Sequence, residues 1–126
     1  TFGDVVKCDP PMDFGILSGD DLMLRLSNEL PDVLCTIFAM GGTPGVMTDS
    51  TNDAKLIPRL TVETGFSGLH ESSIDVTGGI FLKVERAFEI SRNVGQVWFI
   101  DGHHPERMLE ILDTGDTIGT RIVRQD

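Results

Sequence analysis

The stretch "VLCTIFAM", residues 33–40, constrains the fold of this chain more than any other. It is nearly unbroken in its apolar character and contains Val, Thr, Ile and Phe, so it fits a central strand covered on both faces. A strand buried on both faces needs helices above and below the sheet, and the flanking sequence supplies them. Leu22, Leu26 and Leu30 recur at four-residue steps with Met23 beside them, which predicts a helix from Gly19 or Asp20 to about Leu30, ended by Pro31-Asp32. Ile80, Val84, Ala87 and Phe88 share one side of a second helix from about Gly79 to Ser91. "QVWFID" at 96–101 reads as a strand, "PERMLEIL" at 105–112 as a helix and "TIGTRIVR" at 117–124 as a closing strand. Near the start, "DVVKC" at 4–8 and "FGILS" at 14–18 are strand-like runs on either side of the turn-forming "DPPMD".

Strand and helix alternate, so the expected fold is α/β, with a mainly parallel sheet flanked by helices on both faces. The length of 126 residues suits a single domain spanning 1–126. Within it, residues 41–73 are rich in Gly, Ser, Thr and Asp, which predicts a long flexible loop or flap where only "AKLIPRL" suggests local structure. Ligands of open α/β sheets bind beyond the carboxyl ends of the strands. Asp20, the Gly41-Gly42 loop and Gly102 are expected on that edge.

Charge narrows the partners. Twenty acidic residues against ten basic ones give a formal net charge of −10, which argues against nucleic acid or an anionic membrane as a general partner. A small phosphate ligand stays open, because backbone N–H groups and one lysine suffice for it locally. Cys8 and Cys35 have no paired-ligand spacing; a disulfide between them stays open, and two buried or idle thiols in a reducing cytoplasm are the preferred reading. No signal-peptide pattern and no apolar run long enough to span a bilayer is present. The first residue is Thr1 rather than Met, which raises the expectation of a longer parent protein.

Three stretches invite a chemical reading. In "SGDD", residues 18–21, Ser18 or an aspartate serves as an ordinary N-cap, yet capping requires neither two acids nor Gly19 at the strand exit. In "DVTGGIFLKVE", residues 75–85, Thr77, Gly78 and Gly79 open a helix whose free N–H groups suit an anion, and Lys83 lies one turn in. Helical side chains tilt toward the N-terminus, so the Lys83 ammonium can reach back over that end. The same stretch also reads as a glycine-rich turn with a solvated lysine. It is not a Walker A loop, whose glycine directly precedes its lysine. "GHHPE" at 102–106 is expected as a solvent-facing turn into a proline-started helix rather than a metal site, and no direct metal ligands are assigned.

Taken together and in order, "GDVV" at 3–6, "ILSGDDLM" at 16–23, "DVTGGIFLKVE" at 75–85, "IDGHHPERM" at 100–108 and "IGTRI" at 118–122 resemble isopentenyl phosphate kinases, a branch of the amino-acid kinase superfamily. What they resemble is the carboxyl-terminal, chiefly ATP-binding half of such an enzyme. The resemblance implies transfer of a phosphoryl group from ATP to isopentenyl phosphate in isoprenoid synthesis. It implies Mg2+, held mainly through the nucleotide phosphates. Asp20 is then the residue that organises lysines around the transferred group, besides capping its helix, and Lys83 touches the nucleotide phosphates. Ser18, Gly19, Asp21, Gly45, Thr77, Gly78 and Gly79 are the remaining nucleotide-binding positions. The implied partners are a small-molecule phosphate substrate, an amino-terminal half in the same or another chain, and a second copy in a homodimer of the complete enzyme.

The chain departs from that family twice. The family's glycine-rich phosphate loops, amino-terminal lysine and substrate-holding histidine precede the equivalent of Thr1. After the central strand, the family's threonine-aspartate-valine-aspartate-glycine-valine is replaced by "MGGTPGVM" at 40–47, one residue longer and without either aspartate, with Gly45-Val46 still aligned. A degenerate, non-catalytic nucleotide-binding or assembly domain is the alternative expectation, and a related kinase with another phosphate acceptor is a third.

Overall fold

The computed structural model describes residues 1–48, 53–61 and 79–124. In chain order the elements are β1 (Asp4–Lys7), β2 (Phe14–Leu17), α1 (Gly19–Glu29), β3 (Cys35–Met40), β4 (Arg59–Leu60), α2 (Gly79–Ile90), β5 (Gln96–Asp101), α3 (Glu106–Thr114) and β6 (Thr120–Ile122). Four strands form one sheet in the order β3-β5-β6-β4. β3 runs parallel to β5, from Cys35↔Gln96 to Met40↔Asp101, and β4 runs parallel to β6. The β5–β6 junction is antiparallel, because Thr120 starts β6 beside Phe99 in the carboxyl half of β5. The sheet is therefore mixed and mostly parallel. β1 and β2 form a separate antiparallel pair with Val5 opposite Ile16.

Helices cover both faces of the sheet, as the alternation predicts. On one face Phe38, Val97, Phe99 and Ile122 meet Val84, Ala87, Phe88 and Ile90 of α2, with Met23 and Leu24 of α1 packed against them. The Phe38 and Phe99 rings stack with centroids 4.9 Å apart. On the other face Trp98 and Ile100 pack on Ile111 of α3, flanked by Cys35, Ile37 and Met108. Both cysteines are unpaired, and burial pushes the Cys35 thiol up to about 11.

Three expectations are corrected. "VLCTIFAM" is not the central strand: β3 begins at Cys35, Leu34 is 78% exposed, and β3 ends the strand order. β3 is packed on both faces, by Phe38 on one side and by Cys35 and Ile37 on the other, but the most enclosed strand is β5, where Val97, Trp98, Phe99 and Ile100 are each at most 2% exposed. It has a strand on each side as well as helices above and below, and composition alone does not reveal that. The buried side of α1 is also not the Leu22-Leu26-Leu30 series. Leu26 and Leu30 are exposed, whereas Asp20, Met23, Leu24 and Ser27 face inward. Two polar residues hold inward positions because each has a partner: Ser27 Oγ and Thr36 Oγ1 lie 2.9 Å apart in the interior. Third, the closing strand is shorter than expected, Thr120–Ile122 alone.

The long irregular stretch is partly built. Met47 bridges Leu56, Thr48 N–H donates to the Lys55 carbonyl, Ile57 N–H donates to the Val46 carbonyl, and β4 follows at Arg59–Leu60. Residues 49–52 and 62–78, including His70, lie outside the described residues.

Candidate active site

The site starts at the β2–α1 turn. Ser18 adopts an extended backbone and its Oγ accepts from Asp21 N–H at 3.1 Å, a side-chain N-cap. This corrects the expectation that Asp20 caps the helix. With Ser18 in that role, the Asp20 carboxylate turns inward, and the residue is only 8% exposed. Gly19 sits in close approach to the amino-terminal segment: a Cβ there would lie 3.1 Å from Phe2 Cα and 3.2 Å from Gly3 N, tighter than ordinary contact.

A buried carboxylate needs a cation and hydrogen bonds. Lys83, on the second turn of α2, supplies both, with Nζ 2.7 Å from Asp20 Oδ1 and 3.0 Å from Oδ2. The tilt of helical side chains toward the N-terminus carries this ammonium across to α1. Gly79 is the first residue of α2, and Thr77 and Gly78 lie outside the described residues. One residue beyond Asp20, Asp21 accepts from Arg86 Nε at 2.7 Å, and Arg86 also donates to Glu89 at 2.8 Å. The Arg86 hydrogen bond holds the Asp21 carboxyl below its ordinary value. Two consecutive acids on α1 thus meet two cations three residues apart on α2. Arg86 is the residue that motif reading misses. The available signal was its spacing from Lys83, which puts both cations on one helix face.

Asp20 and Lys83 line a cleft of about 420 Å³ together with Gly19, Met23, Ile37, Phe38, Ala39, Met108 and the segment Thr1–Gly3. Gly102 N–H donates to the Met40 carbonyl at 2.7 Å, so the ends of β3 and β5 and the start of the Gly41-Gly42 loop adjoin. Gly41, Gly42 and Gly45 do not line this cleft. Gly45 has a packing reason of its own. A Cβ there would stand 2.6 Å from Thr120 Oγ1, the atom that accepts from Val46 N–H at 2.8 Å.

The two adjacent histidines diverge. His103 Nδ1 sits 3.3 Å from Asp101 Oδ1, and His104 Nδ1 sits 2.9 Å from Glu106 Oε1. Each therefore has its own carboxylate neighbour. Among the described residues no group of three or more His, Cys, Asp or Glu could hold a metal ion.

The cleft thus lies beside the carboxyl half of a strand, with an acid-held lysine on its wall. Comparison with known proteins gives the class. No protein-family profile matches the chain. It is 33% identical over 113 residues to an isopentenyl phosphate kinase of Thermoplasma acidophilum, covering 88% of this chain and 44% of that protein. It is 31% identical over 110 residues to an acetylglutamate kinase of Akkermansia muciniphila, covering 86% and 36%. The crystal structure of an isopentenyl phosphate kinase substrate complex superposes with a TM-score of 0.72 and 28% identity, over 97% of this chain and 46% of that one. The chain belongs to the amino-acid kinase superfamily. Within it the chain is similar to the carboxyl-terminal half of isopentenyl phosphate kinases, and it spans less than half the length of the curated relatives it matches.

Proposed function

We propose that this chain is the nucleotide-binding part of an ATP-dependent small-molecule kinase, with isopentenyl phosphate as the acceptor that the similarities favour. The observation that carries this reading is the Asp20–Lys83 pair, 2.7 and 3.0 Å long, on the wall of the 420 Å³ cleft. A lysine ammonium has three donors. Two point at Asp20, leaving one for a phosphate oxygen. Asp20 thereby fixes a cation where charge develops on the transferred phosphoryl group, and positioning plus charge neutralisation lower most of that barrier. Ser18 and Gly19 set the turn that aims Asp20, and Asp21 anchors α1 to α2 through Arg86. Thr77, Gly78 and Gly79 are proposed to cradle nucleotide phosphates at the start of α2. Mg2+ would be held through those phosphates.

The acceptor pocket is proposed to come from the portion of such enzymes outside this span, in the same or another chain, so these residues alone should turn over no isopentenyl phosphate. The complete enzyme is proposed to be a cytoplasmic homodimer that serves isoprenoid synthesis. A non-catalytic nucleotide-binding or assembly role is the second reading. It is favoured by the loop at 40–47, which carries no acid and whose Gly45-Val46 packs on Thr120. A different phosphate acceptor fits the acetylglutamate kinase similarity.

The test uses this chain. ADP titrated into labelled protein should shift the amides of Gly79 and Gly19 first, with a dissociation constant near the millimolar range, about 4 kcal/mol. Lys83→Ala should abolish the shift, and adenosine should do much less. Amides that stay still at saturating ADP would remove nucleotide binding from the reading.

A further inference from the structure

On the sheet face that α3 covers, three side chains stand in a row across neighbouring strands: Trp98 of β5, Arg121 of β6 and Arg59 of β4. Strand register sets the row, because Trp98 is level with Arg121 and Arg121 is level with Arg59. The Arg121 guanidinium lies over the Trp98 ring, 5.6 Å from its centroid. The ring itself is fixed by its burial and by the Nε1–H bond to Gln96 at 3.2 Å. Like charges side by side in a sheet repel. In a chain with twenty acids and ten bases, such neighbours would normally attract a carboxylate. Yet neither Arg59 nor Arg121 makes an ion pair among the described residues. Instead both line a cleft of about 440 Å³, with Asp116 and Thr117 from the α3–β6 turn.

We propose that this cleft is a binding site for a small organic oxyanion, separate from the Lys83 cleft. Two guanidinium forks match the oxygens of one phosphate or carboxylate, and the Trp98 ring preorganises one fork. The volume exceeds what a single anionic group fills, so the ligand carries an organic body. Asp116 gives that body an acceptor for a hydroxyl or amino group and disfavours a second anionic group beside it. The class is therefore a hydroxylated compound with one phosphate or carboxylate head. No residue lines both clefts, so this site stands whether or not the kinase reading holds.

Trp98 is the sole tryptophan, so intrinsic fluorescence reports the site directly. The chain is titrated with glycerol 3-phosphate and, separately, with glycerate at constant ionic strength, with sodium chloride as reference. A saturable change with at least one of them is expected, and the tighter arm tells phosphate from carboxylate. Lys83→Ala should leave the curve unchanged. Arg59→Gln should raise the dissociation constant at least tenfold, and Arg59→Lys, which keeps the charge but loses the fork, should raise it several-fold. A fluorescence change no greater than that of sodium chloride in both arms would overturn the proposal. So would saturable binding that both Arg59 variants leave intact.

Discussion

Arg86 Nε lies 2.7 Å from Asp21 Oδ1, one residue along α1 from the carboxylate that holds Lys83 and one helical turn along α2 from Lys83 itself. The two ion pairs clamp the start of α1 to α2 at two adjacent points. The inner pair faces the cleft, and the outer one, with Asp21 41% exposed at its side chain, faces solvent.

The outer pair gives a pH-dependent prediction. Arg86 lowers the Asp21 pKa in the folded state, so the pair stabilises the fold fully above the unfolded carboxylate value, about 4. That contribution is lost as pH falls through the lowered folded value. Arg86→Ala should cost about 0.2–1 kcal/mol at pH 7, the range of exposed pairs. Denaturant unfolding of both proteins should show the difference shrinking to nothing in acid. A gap that widens below pH 4 would contradict the assignment.

For the inner pair, the prediction concerns rate and stability separately. In the complete or reconstituted enzyme, Lys83→Ala and Asp20→Asn should each lower kcat by a factor of about 10²–10³, the loss of one transition-state contact. Both should also lose stability. Asp20 is buried, so Asp20→Asn also weakens a buried charge-assisted bond and should cost about 1–3 kcal/mol. Lys83→Ala keeps the Asp20 charge but removes its cation, so it should cost at least as much, even though a third of the Lys83 side chain is exposed. Steady-state kinetics with thermal melts separates the two effects, and an unchanged kcat would favour the non-catalytic reading.

Ser27 and Thr36 share a buried hydrogen bond of 2.9 Å that pins α1 on β3. Thr36→Val leaves the Ser27 hydroxyl without this partner and should destabilise by about 1–2 kcal/mol. The double variant Ser27→Ala/Thr36→Val should recover part of the loss, because no polar group is then stranded. Urea titrations of the four proteins close the cycle. A double variant as costly as the sum of the two single ones would mean that the bond itself contributes little.

Gly45 tests packing against ligand contact. Its missing Cβ would collide with Thr120 Oγ1 and stand 2.9 Å from Thr120 N, so Gly45→Ala should destabilise by about 1–3 kcal/mol. Under conditions where the variant stays folded, its ADP affinity should match that of the unsubstituted chain. A selective loss of ADP binding with normal stability would return Gly45 to the nucleotide site.

Local sequence determined the kinds of elements and most of their limits. Leucine and isoleucine periodicity set helices close to Gly19–Glu29 and Gly79–Ile90, and "QVWFID" coincides with β5. These signals depend on neighbours within a few residues, which a sequence displays directly. The Ser18 cap is equally local. Tertiary structure decided the rest. Which apolar strand lies at the centre depends on strand order, and that order is set by contacts between distant segments, so β5 rather than β3 is the most enclosed. The side α1 buries was decided by partners far along the chain: Lys83 for Asp20 and Thr36 for Ser27 outweigh the more apolar Leu22-Leu26-Leu30 series. Two adjacent aspartates look alike in the sequence. Only the placement of α2, with Lys83 and Arg86 on one face, turns one into a buried holder of a cation and the other into a surface clamp.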